Sequence, residues 1–266
     1  MARSSTEPSK SYSNPPNPIQ MIYFASDIHL GAGNREEQRR TEEHFLAWLD
    51  HVGRDAEVVV LLGDLFDFWF EYKRVVPQGY VRTLGKLAEL TDRGIQVLFF
   101  PGNHDQWTGD YLTRECGVKI YNHPQILRLK ERNLFLAHGD NMRVKQGSLL
   151  WLMNRCFRSK GLRWLFQRLI HPDLALKFGR WWSGKSRKSH SKTPLEVSFT
   201  EPLRDYARDH YASHPEVDYY LFGHMHIAVD RLNETPRILH LGCWEETITY
   251  AVLDDNGALH LAEFEK

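Results

Sequence analysis

The sequence is poor in cysteine. Cys116, Cys156 and Cys243 are odd in number and far apart in a chain of 266 residues, which excludes a disulfide framework and any Cys-x-x-Cys zinc knuckle and fits a reducing cytosol. No run of eighteen or more uncharged apolar residues is present, so nothing reads as membrane-spanning, and the amino terminus has no apolar signal core. An excess of one charge is missing too. Lys and Arg number 34 against 34 Asp and Glu, so the total points to no partner. With 42% hydrophobic and 26% charged residues the composition is ordinary and globular, with room for one domain, or one domain carrying an insertion. Residues 1–20 are rich in Ser, Pro and Asn and are expected to be a disordered leader.

What the chain does have is histidine, fourteen in all, and a repeating pattern. Apolar runs at 21–26, 57–62, 95–100, 133–137 and 219–222 read as strands, with helices over 36–52 and 79–93 and paired strands near 236–241 and 247–253. Buried strands alternating with amphipathic helices predict a layered α/β sandwich. The stretch from Asn141 to Lys192 is different. It holds thirteen Lys or Arg against one acid, Asp173, so the neutral total conceals a part of charge +12 and a remainder of −12. It also holds Trp151, Trp164, Trp181, Trp182, Phe157, Phe166 and Phe178. Leu149, Leu152, Met153 and Phe157, then Leu162, Leu165, Phe166, Leu169 and Ile170, recur at helical spacing, so two or three short amphipathic helices are expected.

Five short motifs follow the strands: Asp27-Ile28-His29, Gly63-Asp64-Leu65-Phe66-Asp67, Gly102-Asn103-His104-Asp105, His138-Gly139-Asp140 and Gly223-His224-Met225-His226. In α/β folds the loops beyond the carboxyl ends of strands build the site, so these side chains are expected on one rim. Oxygen and imidazole groups suit divalent Mn, Fe, Zn or Mg. Successive motifs stand 37, 39 and 35 residues apart, about one strand-helix-strand unit each. The next gap, 86 residues, is one unit plus about fifty, nearly the length of the basic stretch. That stretch therefore interrupts the scaffold between the fourth and fifth loops and is expected to sit beside the site as a lid.

This ordered set resembles the calcineurin-like metallophosphoesterases over residues 21–266 apart from the insertion. The resemblance implies a four-layer α/β/β/α sandwich with a helical lid at 141–192. It implies two divalent ions, Mn2+ by family habit, bridged by Asp64. Asp27, His29 and His226 would complete one site and Asn103, His138 and His224 the other. It also implies that His104 assists catalysis beside the phosphate, with Asp105 orienting it. Two such cations can hold a bridging hydroxide and clamp the oxygens of an in-line displacement, and no nucleophilic Ser or Cys motif competes.

More narrowly, SDIHLG (26–31), GDLFDFW (63–69), HPD (171–173) and WWSGKSRKS (181–189) are similar to the UDP-2,3-diacylglucosamine hydrolases of lipid A synthesis, particularly Bacteroidetes-type sequences. Two departures stand out. Cys243 occupies a position where Asp is expected, and His104 one where proteobacterial members carry Arg. The likeness implies cleavage of a UDP-linked diacylated glucosamine lipid to UMP and 2,3-diacylglucosamine 1-phosphate. It also implies a cytoplasmic location, peripheral on the anionic inner leaflet. Ser183, Lys185 and Arg187 are expected to contact phosphate or sugar. A general phosphodiesterase, a nucleotide pyrophosphatase or a nuclease is the competing reading, since cations with aromatics also suit nucleic acid. Tryptophans flanked by leucine at helical spacing favour acyl chains over bases.

Overall fold

The computed structural model describes residues 20–142, 144, 147–190, 197–245 and 247–265. The expected leader lies outside them apart from Gln20.

Two mixed sheets form the centre. The first runs in the order β11 (Leu259–Glu263), β10 (Thr249–Leu253), β1 (Met21–Ala25), β2 (Ala56–Leu61), β3 (Gln96–Phe99) and β4 (Lys119–Ile120). Strands β1 to β4 are parallel, with Phe24 beside Val60 and Val60 beside Leu98, whereas β10 and β11 are antiparallel additions. The second sheet runs β5 (Gln125–Leu129), β6 (Arg132–Ala137), β7 (Tyr219–Phe222), β9 (Arg237–Leu241) and β8 (Ala228–Asp230). Its middle, β6, β7 and β9, is parallel.

Alternation along the strands makes four layers. Ile22, Phe24, Val58, Val60 and Leu98 of the first sheet meet Leu134, Leu136, Leu221, Leu239 and Leu241 of the second in one buried cluster. The intervening residues Tyr23, Ala25, Val59, Leu61, Val97 and Phe99 face the other way. They pack on Phe45, Trp48, Leu49 and Val52 of α1 (Arg35–Val52) and on Leu87 and Leu90 of α2 (Val81–Asp92). On the far side, Phe135, Tyr220, Phe222 and Ile238 pack on Leu203 and Ala207 of the helix Glu201–Tyr211. The α/β/β/α sandwich is therefore present.

One expectation needs correction. The strands near 236–241 and 247–253 do not pair as a hairpin; β9 lies in the second sheet and β10 in the first. Nearly every position in both is buried, so each can stand inside a sandwich, and no polar face marks one as the other's partner.

The short helix α3 (Tyr111–Cys116) stands between β3 and β4, and between β6 and the crossover helix come three further helices, α4 (Leu149–Phe157), α5 (Lys160–Leu169) and α6 (Pro172–His190), followed by a 3-10 turn at Val197–Thr200; the crossover helix Glu201–Tyr211 is α7. The hydroxyls of Ser148 and Ser159 accept from the first-turn amides of Trp151 and Leu162, which starts α4 and α5. Helix α5 divides its apolar residues. Phe166 packs on Phe70 and Trp107, Arg163 donates to the Trp107 carbonyl at 2.8 Å, and Gln167 donates to the Glu71 carbonyl at 2.6 Å. Leu162, Trp164, Leu165 and Leu169 are exposed.

Candidate metal centre

The five motif loops leave the carboxyl ends of β1, β2, β3, β6 and β7. Asp27, His29, Asp64, His224 and His226 all adopt left-handed backbone, with φ of 54°, 52°, 50°, 68° and 57°. For non-glycine residues this costs on the order of 1–2 kcal/mol each and persists only where the surroundings over-determine it. Cross-loop hydrogen bonds do so: Asp27 N donates to the Gly63 carbonyl at 3.1 Å, His29 N to that of Asp64 at 2.9 Å, and Gly223 N to that of His138 at 3.1 Å. Crowding is just as tight. A Cβ at Gly223 would strike Ser26 Oγ and Asp27 Oδ2, and one at Gly102 would strike the side chains of Asp64 and His138.

The side chains converge. His226 Nε2 lies 3.2 Å from Asp27 Oδ1 and 3.2 Å from His29 Nε2. His138 Nε2 lies 3.3 Å from Asp64 Oδ2 and 3.3 Å from Asn103 Oδ1. Asp64 Oδ2 is also 4.0 Å from His29 Nε2 and 4.0 Å from His104 Nε2. Three groups result, Asp27–His29–His226, His29–Asp64–His104 and Asp64–His138–His224, each with its ligand atoms within 4.8 Å of one another. Asp64 belongs to two of them.

A cation fits this donor set. Asp27 Oδ1 is buried, and the groups turned toward it among the described residues are imidazole nitrogens, His226 Nε2 at 3.2 Å and His29 Nε2 at 3.8 Å. A buried carboxylate oxygen is costly unless positive charge compensates it. The donors are oxygen and nitrogen throughout, the choice of borderline divalent metals.

The protein's own charges show the same tension. Burial would raise Asp27, but the hydrogen bond and charge of His226 outweigh it and hold the carboxyl at about 2. Burial would likewise raise Asp64, but the charges of His138 and His104 pull it well below its ordinary value. Burial pushes His29 down to about 3 and His224 down to about 4. His138, although buried, is lifted to about 10 by Asp64. His226, against the same burial penalty, is lifted to about 11 by Asp27 and by a hydrogen bond with Cys243.

Two expectations change in detail. Among the described residues Asp105 accepts from backbone amides rather than from the His104 ring. Its Oδ1 accepts from the amides of Gly102 at 2.7 Å and Asp64 at 3.3 Å, and its Oδ2 from that of Phe66 at 3.2 Å. It ties the Asn103 loop to the Asp64 loop. The ring of His104 is held by others: its Nδ1 sits 2.8 Å from the Asp67 carbonyl oxygen. Ser183 is buried, and its hydroxyl donates to Asp67 Oδ1 at 2.5 Å. Lys185 and Arg187 belong to α6, and their side chains lie outside what is described. Asp140 pairs with Arg158 of the insertion at 2.8 Å. Asp67 belongs to the second motif, but its link to Ser183 joins positions far apart in the chain and has no local signal in the sequence.

Comparison with known proteins gives the family. The calcineurin-like phosphoesterase profile matches residues 21–228. The chain belongs to the calcineurin-like phosphoesterases. This phosphoesterase is 40% identical over 248 residues to a UDP-2,3-diacylglucosamine hydrolase of Porphyromonas gingivalis, covering 88% of this chain and 94% of the relative. It is 28% identical to the Haemophilus influenzae protein of the same name, over 88% of this chain and 95% of the relative. A Pseudomonas putida hydrolase of that name is 27% identical over 92% of this chain and 99% of its own length.

Proposed function

We propose that this phosphoesterase hydrolyses the pyrophosphate of UDP-2,3-diacylglucosamine, giving UMP and 2,3-diacylglucosamine 1-phosphate. One observation carries the reading beyond the family. The inserted helices, basic and aromatic, seat Ser183 against the loop that bears His104, so a surface suited to a phosphorylated lipid adjoins the candidate metal site.

In this reading Asp27, His29, His226 and Asp64 hold one cation, and Asp64, Asn103, His138 and His224 the other; Mn2+ is the identity we propose. Bound there, divalent ions would supply Lewis acidity and water ionised near neutral pH. His104 turns Nε2 toward Asp64 and would hold a proton there for the leaving phosphate oxygen or stabilise charge on the phosphoryl group. Asp105 keeps two ligand loops in register. Residues 141–192 serve as the lid. Their cations, Lys185 and Arg187 among them, would meet phosphate, and their exposed Leu162, Trp164, Leu165 and Leu169 would shelter acyl chains at about 0.8 kcal/mol per buried methylene. The same face would hold the protein to an anionic leaflet, each nearby Lys or Arg adding about 1 kcal/mol. No helix among the described residues is long and apolar enough to cross a membrane.

Product analysis tests this. The protein with UDP-2,3-diacylglucosamine and Mn2+ should release UMP, and Asp64→Asn and His104→Ala should each cut that release by roughly 100-fold or more. UMP release indifferent to both substitutions would remove the site. Turnover of a simple phosphodiester with no UMP from the lipid would favour the general phosphodiesterase.

A further inference from the structure

We propose that Ser183 is a positioning residue that ties the inserted helix α6 to His104, so that full turnover requires α6 in its seat. This deepens the reading above and rests on His104 acting at the phosphate. The hydrogen-bond chemistry leaves little freedom. The Asp67 carbonyl oxygen, 2.8 Å from His104 Nδ1, can only accept, so Nδ1 carries a proton. The Ser183 hydroxyl gives its hydrogen to Asp67 Oδ1 at 2.5 Å, and its oxygen stands 3.1 Å from the same Nδ1. With its hydrogen committed, that oxygen has only a lone pair to offer. Nδ1–H is therefore shared between two acceptors, one from the Asp67 loop and one from α6, and Nε2 is reserved for the side facing Asp64.

The seat is built for this contact. Ala175, Gly179 and Ser183 are four residues apart on α6 and lie on one face. Ala175 is buried, and the bare Gly179 backbone lies so close to the Phe68 ring that a Cβ would overlap it. Ser183 is 2% exposed. Phe68 and Asp67 are neighbours in sequence, so the segment α6 rests on is the one that holds the His104 ring. Asp67 Oδ1 also lies 3.8 Å from Nδ1 of His29 and 3.8 Å from Nδ1 of His104. Helix α6 thus contacts the carboxylate lying between a candidate ligand and the candidate acid. The hydroxyl expected to touch substrate is turned instead onto the groups behind the site.

The test is a double-mutant cycle on the full-length, Mn2+-loaded protein, with UDP-2,3-diacylglucosamine and with a small aryl phosphodiester that has neither sugar nor acyl chains. Ser183→Ala should lower kcat roughly tenfold on both substrates and leave KM within about twofold. Metal content should stay that of the wild type, and the melting temperature should fall by only a few degrees, about what loss of one buried hydrogen bond costs. Because Ser183 acts through His104, Ser183→Ala should add no further loss in a His104→Ala background. A raised KM with unchanged kcat, confined to the lipid substrate, would make Ser183 a substrate contact and overturn the proposal, as would losses that multiply in the double variant. If His104→Ala alone left kcat intact, the role given to His104 above would fall first, and that result is read separately from the Ser183 arm.

Discussion

The Nδ1–H of His138 donates to the carbonyl oxygen of Leu62 at 2.8 Å, and this bond dictates what the other ring nitrogen can do. A carbonyl cannot donate, so Nε2 is the nitrogen turned to Asp64. In the cation-free protein it holds a proton at neutral pH, because Asp64 raises His138 to about 10 despite its burial. His226 is in the same position at about 11. A cation that takes these nitrogens must displace those protons. Divalent metal binding at pH 7 should therefore release about one proton at each site, and affinity should fall about tenfold per pH unit for each proton as pH is lowered. Calorimetry in buffers of different ionisation enthalpy reads this directly. A binding heat independent of buffer would contradict it.

Much of this site is legible in the primary structure because each ligand follows an apolar strand, and a strand's carboxyl end fixes where the next side chain goes. Asp27 after Ala25 and His138 after Ala137 are of that kind. The second layer is not legible. Asp105 bonds to amides of two separate loops, and Ser183 reaches Asp67 across the whole insertion, contacts that no local pattern encodes. The sheets show the same limit. Strands β5 and β11, half exposed at the edges, mix polar and apolar residues and give weak periodicity. The wholly buried β9 and β10 carry no sign of which sheet each joins.

His240 is buried on β9 beside Phe222, and neither ring nitrogen has a hydrogen-bond partner among the described residues. Burial, helped by the charge of Arg231, depresses it to about 3. The unfolded chain takes up a proton below about 6.5 that the fold refuses, so this residue's contribution is whole above that pH and is lost as pH falls toward 3. His240→Leu removes the effect at similar volume. Urea unfolding of the chelated protein should show the variant gaining about 2 kcal/mol relative to wild type on going from pH 7 to pH 5. An equal difference at the two pH values would refute this account.

Gly223 supplies space more than flexibility. Its absent Cβ leaves room for Ser26 Oγ and Asp27 Oδ2, which are hydrogen-bonded to each other at 2.5 Å, while Asp27 Oδ2 also accepts from His224 N at 2.9 Å. Gly223→Ala must push these groups apart. It should cost about 1–3 kcal/mol of stability and lower bound metal, because Asp27 and His224 move together. Metal analysis with thermal unfolding checks both, and full metal occupancy at wild-type stability would show the crowding to be harmless.

Helix α5 gives the clearest way to separate lipid recognition from chemistry, because its two faces do different things. Arg163, Phe166 and Gln167 fasten it to the body at Phe70, Glu71 and Trp107, while Leu165 and Leu169 stand 44% and 71% exposed. Substituting the outward residues leaves the fastening intact. Leu165→Glu with Leu169→Glu should raise KM for the diacylated substrate by roughly tenfold or more, since each leucine that ceases to cover an acyl chain forfeits about 1.5–3 kcal/mol of burial. Turnover of a small aryl phosphodiester should not change, because both side chains are exposed and neither belongs to the ligand groups around Asp64 and His104. Sedimentation with anionic vesicles should weaken in parallel. If KM for the lipid held steady while vesicle binding fell, the outward face would serve the membrane alone, and the acyl recess would have to be sought elsewhere on the inserted helices.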